Sequence, residues 1–425
     1  MSSEGQFCAN RIGQIIIAIE QGMEFLKINM TRTFHPVGQG AFYSEKFDLG
    51  NDRKLNIVYD CGTLPQCGFE NMQGVVEAAF DAGECIDGVF ISHFDEDHVN
   101  GFPLLLKRVA QNVRHIFLPH LTTEDILMEL VCTNMNGLEE RRTYADAYCK
   151  LIADGDPSGV FERLGFSRHV ERAPEVHIIY PEDAELPADI RKGRIEAIGS
   201  GEDVFARLTG SRVFPPPVWP VWHFIPYNYN FRGCGLAAHV KFENALERFL
   251  RARSLKRDDS GVKTILSDLE LLKDFKRHYV KNVSKDTNGH SMTLLSCPSS
   301  PCCYWSTHPD DVKDFRCGSP SRRAGCLYTG DYDASSKRRC DALLNAYSTH
   351  VCKVGCVQLP HHGSGRNYNA DFGALDAVFV ACYGKRNPFH HPGMWVRAHL
   401  YINRRKTVMV TEDPASKCTK MWRVL

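Results

Sequence analysis

The stretch Ser92-His93-Phe94-Asp95-Glu96-Asp97-His98 is rich in side chains that bind metal ions. Two histidines and two aspartates lie within six residues, directly after the apolar run Gly88-Val89-Phe90-Ile91. A strand that ends in a tight loop would gather these side chains at one point, and imidazoles and carboxylates that converge bind divalent metals. The alternative is a polar loop in which the aspartates only cap local structure. The pattern H-x-D-x-D-H favours a metal-binding loop.

More residues of the ligand type follow strands that the sequence predicts later in the chain. Asp331 follows the predicted strand 325–329, and His361 and His362 follow the predicted strand 354–359. His290 precedes a predicted strand, and His391 comes after the strand 377–381. Sites in sheets that alternate with helices collect at strand ends. This repetition predicts one joint metal site.

The elements around the loop alternate between strands and helices. The segments 25–30 and 55–60 alternate as strands separated by glycine turns, which predicts an antiparallel meander. Apolar residues at helical spacing predict a helix within 70–86, and the strand 86–91 then delivers the metal loop. A helix over 102–109 and a strand over 115–119 follow. From about residue 286 the chain again predicts strands, then a helix over 394–401 and a closing strand over 408–411.

Residues 121–285 break this alternation. Helical periodicity covers 122–130, 137–153 and much of 242–280, whereas 176–181 and 222–228 are strand-like. We therefore predict a mainly helical insertion that acts as a lid or a substrate wall. Its basic residues fit either a solvated helix face or contacts with phosphates; they are Arg248, Arg251, Arg253, Lys256 and Arg257.

Composition sets wide limits on function. The chain has 425 residues, with 51 basic and 51 acidic side chains, which argues against a wholly basic protein that coats nucleic acid but leaves a nuclease open. The sequence predicts no export signal and no membrane span, so its 17 cysteines are interpreted as reduced thiols of a cytoplasmic protein. Whether the cluster Cys297, Cys302, Cys303 and Cys317 binds zinc stays open, because it lacks a C-x-x-C pair.

The motif H-x-D-x-D-H resembles the metal-binding signature of the metallo-β-lactamase superfamily. The chain also resembles one branch of that superfamily, the hydrolase domain at the C-terminus of bacterial competence (DNA-uptake) channel proteins. The later motifs that carry this resemblance are N-x-H-S, L-Y-T-G-D, P-H-H-G-S and N-x-x-x-H-P. The resemblance covers roughly residues 24–120 and 286–425. It implies an α/β, four-layer αββα fold in two halves, 24–120 and 286–425, with a leader 1–23 and the insertion 121–285 between the halves.

The resemblance also implies a ligand set for two divalent metal ions. One ion would be held by His93, Asp95 and His290, the other by Asp97, His98 and His362, with Asp331 bridging both. Asp60 would support the loop without binding metal. A carboxylate at position 95 shifts the preference toward Mn²⁺ or Mg²⁺, whereas the general affinity order favours Zn²⁺.

Residues around the implied centre would act on the substrate. Asp97 would also orient a hydroxide activated by the two metals, and His361 or His391 would protonate the leaving group. Ser364 and Asn387 would bind substrate, with a cap of local structure as the alternative for Ser364.

Together these features predict a metal-dependent hydrolase, with a phosphodiesterase or nuclease acting on DNA or RNA as the first hypothesis. Basic clusters at 322–323, 337–339 and 404–406 flank the motif stations and would contact the nucleic acid. One alternative is a hydrolase of a small phosphoester or another ester. The other is a metal-bound regulatory module of a multi-protein system such as phage defence.

Overall fold

The structure is a computed structural model in which part of the chain is described. The described residues are 28–50, 52–64, 70–132, 138–167, 173–182, 184, 195–209, 222–229, 237–280, 291–299, 304–306 and 323–424. No helix among them is long and apolar enough to cross a lipid bilayer.

The described strands form two sheets. In chain order they are β1 (Ile28–Phe34), β2 (Phe42–Asp48), β3 (Lys54–Cys61), β4 (Ile86–Phe90), β5 (Val113–Pro119), β6 (Glu175–Tyr180), β7 (Ile195–Gly199), β8 (Trp222–Tyr227), β9 (Thr293–Pro298), β10 (Tyr304–Ser306), β11 (Gly325–Tyr328), β12 (Val354–Gln358), β13 (Val378–Cys382), β14 (Thr407–Val410) and β15 (Cys418–Val424). The first sheet has the order β10-β15-β1-β2-β3-β4-β5-β6-β7, and the second has the order β14-β13-β12-β11-β9-β8.

The helices alternate with these strands. They are α1 (Met72–Ala79), α2 (Glu96–Val99), α3 (Phe102–Arg108), α4 (Thr123–Cys132), α5 (Leu138–Asp154), α6 (Ser158–Leu164), α7 (Phe205–Thr209), α8 (Ala237–Ala252), α9 (Asp259–Ser267), α10 (Leu269–Val280), α11 (Lys337–Ala346) and α12 (Met394–Ile402). Pro103 lies in the first turn of α3, where a missing backbone N–H costs nothing.

Three layers of buried side chains separate the sheets and helices. The inner layer joins the two sheets and contains Tyr59, Phe90 and Phe224. One outer layer packs the first sheet against α3 and α4, and the other packs the second sheet against α11 and α12. Because helices cover the outer face of each sheet, the prediction of a four-layer αββα fold is confirmed.

Each sheet combines an antiparallel and a parallel part. The pairs β1–β2 and β2–β3 are antiparallel, as the predicted meander requires, and β3, β4, β5, β6 and β7 pair in parallel. In the second sheet β11, β12, β13 and β14 are parallel. The carboxyl ends of neighbouring parallel strands therefore lie at one edge of each sheet, and that edge positions the candidate site.

Two parts of the chain differ from the pattern that the sequence predicts. The described residues within 121–285 are mainly helical, but they also supply β6 and β7 to the first sheet and β8 to the second. The strand over 408–411, predicted to close the chain, is β14, and a further strand, β15, crosses to the first sheet and pairs with β1. A lid role for 121–285 stays a prediction.

His35, in the turn after β1, is a buried titratable group of the core. Its ring stacks on Phe42 with centroids 4.1 Å apart, and Nε2 lies 2.8 Å from Ser44 Oγ. Burial, followed by the charges of Lys417 and Lys46, lowers the pKa of His35 to about 3. The imidazole is therefore neutral in the folded protein at all pH values above that.

We expect His35 to weaken the fold in acid. Below pH ~6.5 His35 is protonated in the unfolded chain but stays neutral in the folded protein. The free energy of unfolding therefore falls by about 1.4 kcal/mol per pH unit as the pH drops toward 3. His35→Gln removes this titration and can keep a hydrogen bond to Ser44. Between pH 7 and 5 in urea unfolding, the wild type should lose about 2 kcal/mol more than the variant. Equal losses would show that His35 is not the group responsible.

Candidate metal centre

The metal loop predicted from the sequence lies at the carboxyl end of β4 and is fastened by Asp60. Asp60 is the second-last residue of β3 and is fully buried. Its backbone has a positive φ of 54°, a conformation that Asp tolerates better than most residues. Its Oδ1 accepts a hydrogen bond from the Ser92 backbone at 2.7 Å. Its Oδ2 accepts one from Ser92 Oγ at 2.7 Å and lies 2.8 Å from His98 Nδ1. Asp60 thus fixes the start of the loop and the orientation of its last histidine.

Two glycines let other segments approach this loop closely. A Cβ on Gly62 would lie 2.5 Å from the carbonyl carbon of Asp97. Gly330 has a φ of 51°, and a Cβ there would lie 2.3 Å from Ser291 Oγ and 2.7 Å from Ser92 Cβ. A larger residue at Gly62 would therefore displace the backbone of Asp97, and one at Gly330 would push the turn that carries Asp331 away from Ser92.

Two groups of ligand atoms converge at the centre. The ligand atoms of His93, His98 and Asp331 lie within 4.8 Å of one another, and so do those of Asp97, His98 and His362. The second group contains the three residues that the superfamily resemblance implies for one ion. His362 Nε2 lies 3.0 Å from Asp97 Oδ2, and His98 Nε2 lies 4.0 Å from the same oxygen.

Asp331 lies between the two groups. Its Oδ1 is 3.2 Å from His98 Nε2 and 3.9 Å from His362 Nε2. Its Oδ2 is 3.8 Å from His93 Nε2 and 3.6 Å from His361 Nε2. The two oxygens therefore face different histidines, which is the arrangement that a bridging ligand requires.

The donor set fits divalent metal ions. The Nε2 atoms of His93 and His98 are buried and make no hydrogen bond among the described residues. An unpartnered buried nitrogen costs about 1–3 kcal/mol, which a coordinate bond would offset. The other ring nitrogen of His98 faces Asp60, and that of His362 faces the Cys382 carbonyl at 2.8 Å. Such partners fix the ring orientation of metal-binding histidines.

Electrostatics make the centre strongly polarised. Burial alone would raise the pKa of Asp331, but His361, His98 and His362 outweigh it and hold the pKa well below its usual range. Burial also opposes the charge of His98, yet Asp331, Asp60 and Asp97 raise its pKa well above the ordinary value. The Asp331 carboxylate is therefore ionised and ready to bind cations.

The predicted proton donors lie beside the centre. His361 is partly exposed, and its ring centroid is 5.4 Å from that of His391. Burial, with His362 and His361 next, lowers the pKa of His391 to about 3. At neutral pH His391 is thus a neutral imidazole, and it would give up a proton only from a ring N–H.

The two predicted substrate-binding residues make local contacts in this structure. Asn387 Oδ1 accepts a hydrogen bond from the His391 backbone N–H at 3.0 Å, and its Nδ2 donates to the His391 carbonyl at 3.1 Å. The buried Ser364 accepts a hydrogen bond from the Arg366 backbone at 3.3 Å. Both arrangements brace the turns that carry His361 and His391, and contact with substrate stays a prediction.

The remaining predicted ligands are placed unequally. Asp95 Oδ2 lies 3.8 Å from His93 Nε2, on the side of the first ion. His290 lies outside the described residues, as do Cys302, Cys303 and Cys317, so their predicted roles stay open.

Two serines belong to this site although the sequence analysis does not single them out. Ser92 Oγ lies 2.9 Å from His93 Nδ1, and Ser291 Oγ accepts a hydrogen bond from the Asp331 backbone at 2.9 Å. Ser92 directly precedes the motif H-x-D-x-D-H and Ser291 is the last residue of the motif N-x-H-S, and that position was the only signal that could have found them.

Replacing Asp60 should loosen the centre without unfolding the protein. Asp60→Asn keeps the shape of the side chain, and Asn also tolerates a positive φ. A single amide oxygen, however, cannot accept the hydrogen bonds of both Ser92 and His98. Loss of such a partner typically costs about 10–100-fold in metal affinity, which calorimetric titration with Mn²⁺ or Zn²⁺ would measure. Asp87→Asn is the matched control: Asp87 is also buried but contacts Asn56 and Arg114 at the amino end of β4. Equal metal affinity in wild type and Asp60→Asn would contradict the supporting role.

Comparisons with known proteins give distant structural likenesses. No family model matches the chain, and no curated protein matches it. Among solved structures, human tRNase Z, short form, aligns with a TM-score of 0.35 and 11% identity over 84% of this chain and 93% of that chain. A long-form RNase Z from yeast aligns with a TM-score of 0.33 and 10% identity over 85% of this chain and 38% of that one.

Proposed function

We propose that this chain is a metal-dependent phosphodiesterase or nuclease that cleaves DNA or RNA at the centre around Asp331. The observation that supports this most is the pair of ligand groups that share His98, with the two oxygens of Asp331 turned toward different histidines. Such an arrangement suits two divalent ions, Zn²⁺ or Mn²⁺, with Mg²⁺ as a further candidate. Two bound ions would lower the pKa of a water molecule and stabilise charge on a phosphoryl oxygen.

The protein's own residues supply the remaining chemistry. Asp97 and Asp331 are ionised and would hold the cations, while Asp60 and Ser92 keep His93 and His98 in place. His361 lies at the edge of the centre and is partly exposed, so its imidazole would donate a proton to the leaving alkoxide. His391 would hold the departing group by a ring N–H, since its imidazole is neutral at the pH of the reaction.

The basic clusters at 322–323, 337–339 and 404–406 support a nucleic-acid substrate less than the sequence suggests. Arg323 and Arg405 both form ion pairs with Asp376. Arg323 precedes β11, Asp376 precedes β13, and Arg405 precedes β14. They therefore lie at the amino ends of those parallel strands, opposite Asp331 and His361. Arg322 lies outside the described residues. Lys337 and Arg339 follow Asp331 in the chain, on the side of the centre, but pair with Asp341 and Asp333.

A different surface supports a nucleic-acid substrate. Phe389 is 55% exposed, and its ring centroid is 5.7 Å from that of His391. Trp395 is 45% exposed, and its Nε1 donates to the Gly365 carbonyl, just after the His361-His362 turn. Exposed rings at the mouth of a centre offer platforms for bases, and the exposed Arg386 and Arg397 supply positive charge nearby.

A small phosphoester remains the second candidate substrate. A cavity of about 440 Å³ lies between α4, α5 and α9, lined by His120, Thr122, Cys149 and Lys263 among others. Helix α5, which supplies one wall of the cavity, also contacts the metal loop, because Phe94 packs on Tyr148 with ring centroids 5.4 Å apart. A cavity of this size fits a small substrate rather than a polymer.

A substrate panel tests the proposal. Linear, circular and single-stranded DNA, RNA, a cyclic nucleotide and bis-p-nitrophenyl phosphate would be incubated with Mn²⁺, Mg²⁺ or Zn²⁺, using Asp97→Ala as the inactive variant. We expect cleavage of at least one polymer, dependence on metal, and loss of cleavage in Asp97→Ala. Glu96→Ala, which changes the exposed neighbour in the same loop, should remain active.

The outcomes separate the candidate functions. Cleavage of only the small substrates would favour the cavity. Cleavage that survives Asp97→Ala would contradict the proposed mechanism. Metal binding without cleavage of any substrate would favour a metal-bound regulatory module.

A further inference from the structure

A second cluster of ligand-type side chains lies on the first sheet, away from the candidate metal centre. His115 belongs to β5, and Glu175 and His177 belong to β6, near the amino ends of these parallel strands. The candidate centre, by contrast, follows the carboxyl end of β4. Side chains two residues apart on a strand point to the same face of the sheet. His115, Glu175 and His177 therefore lie on the face that carries Phe117.

The ligand atoms of this cluster are spaced as a metal site requires. His115 Nδ1 lies 3.0 Å from His177 Nε2 and 3.5 Å from Glu175 Oε2, and all three atoms lie within 4.8 Å of one another. Tetrahedral zinc with ligand bonds of about 2.0–2.2 Å separates neighbouring ligands by about 3.3–3.5 Å. The cluster therefore needs only small shifts to surround an ion.

The surroundings of His177 orient it as a metal ligand. Its ring stacks on Phe117 with centroids 4.6 Å apart, and only 2% of the residue is exposed. Nδ1 lies 3.3 Å from Glu196 Oε2, and the other oxygen of Glu196 accepts from Arg207 at 2.6 Å. Stacking on Phe117 thus holds the ring with Nε2 toward His115, while the other ring nitrogen lies beside a carboxylate, which is the usual neighbour of metal-binding histidines.

We propose that His115, Glu175 and His177 bind one divalent transition-metal ion, with zinc as the natural occupant. Two imidazoles and a carboxylate are ligands that zinc prefers, and a fourth position would face the solvent because the Glu175 side chain is 53% exposed. The ion would fasten β5 to β6 at their amino ends. Its role is structural, and it is separate from hydrolysis at Asp331.

The competing account is a hydrogen bond between two neutral histidines. In that case one ring N–H donates to the other ring at 3.0 Å, and Glu175 contributes only an ion-pair contact. The two accounts differ in one measurable respect: only a metal site makes the zinc content of the protein depend on Glu175 and on His115.

The zinc content of the protein and the chemical labelling of His115 distinguish the metal site from the hydrogen bond. Wild type, Glu175→Gln and His115→Gln would be dialysed against zinc, and the bound metal counted by mass spectrometry. Diethyl pyrocarbonate labelling of the peptide containing His115 would be compared with and without zinc. Glu202→Gln is the matched control, because Glu202 is an exposed acid that pairs with the same Arg207.

We expect Glu175→Gln and His115→Gln to bind about one zinc per chain fewer than wild type, whereas Glu202→Gln binds the same amount. Zinc should protect His115 from labelling in wild type and equally in Asp331→Asn, which separates this site from the candidate hydrolytic centre. The exposed Glu175 variant should unfold in chelator at the wild-type temperature, which excludes misfolding as the cause. Equal zinc contents in wild type and both variants, with no protection of His115, would overturn the proposal.

Discussion

Replacing Asp331 by Asn should reduce phosphodiester cleavage about a thousand-fold or more. Asp331 is the carboxylate that faces both ligand groups, and its pKa is held well below the usual range, so it is charged whenever the protein is folded. Asn has a similar shape but no charge and one oxygen fewer. Several kcal/mol of transition-state stabilisation by metal would then be lost, and about 1.4 kcal/mol corresponds to each factor of ten in rate.

The measurement is kcat/KM for bis-p-nitrophenyl phosphate at saturating Mn²⁺, with metal affinity determined in parallel. Asp333→Asn is the matched control, because Asp333 is an aspartate of the same loop that pairs with Arg339 instead of facing the histidines. The control should retain its rate within about two-fold. An Asp331→Asn variant as active as this control would show that the carboxylate does not bridge the catalytic ions.

Several residues of the candidate centre could be found from the sequence, because they follow strand ends at short range. The metal loop needs only β4 and the turn after it, and Asp60 needs only the end of β3. The grouping of Asp97, His98 and His362 was implied by the superfamily resemblance, and the ligand atoms of these three residues lie within 4.8 Å of one another. The metal-ligand roles themselves stay predictions that the experiments above would test.

Contacts that depend on the register between paired strands could not be predicted from the sequence. Strands over 115–119 and 176–181 were both predicted, but only the pairing of His115 with Glu175 brings His177 into reach of His115. The crossing of β15 to the first sheet and the pairing of Arg405 with Asp376 likewise depend on partners distant in the chain. Such pairs leave no periodicity along the sequence, so local patterns cannot reveal them.

The largest expected loss of stability concerns a buried ion pair of the first sheet that is hydrogen-bonded to the second sheet. Arg32 of β1 and Glu45 of β2 are 0% and 2% exposed, with Nε and Oε1 2.7 Å apart. Although burial alone would lower the pKa of Arg32, Glu45 helps to raise it well above its usual value. From the second sheet, the hydroxyl of Tyr328 donates to Glu45 Oε1 and that of Ser296 donates to Oε2.

Glu45→Ala should therefore destabilise the protein by about 3–5 kcal/mol, because it leaves a guanidinium buried without its counter-charge. Urea unfolding at pH 7 would measure the loss. Lys46→Ala is the matched control, since the neighbouring Lys46 forms a partly exposed ion pair with Glu84 that is worth at most about 1 kcal/mol.

Removing both charges tests the cause of that loss. The double variant Arg32→Met, Glu45→Leu has no stranded charge, so it should recover much of the stability that Glu45→Ala loses, as apolar replacements of buried pairs do. Without the pair, the hydroxyls of Tyr328 and Ser296 lose an acceptor that bridges the sheets, so recovery should stay incomplete. If the double variant were less stable than Glu45→Ala, the hydrogen bonds across the sheets, rather than the buried charge, would dominate at this position.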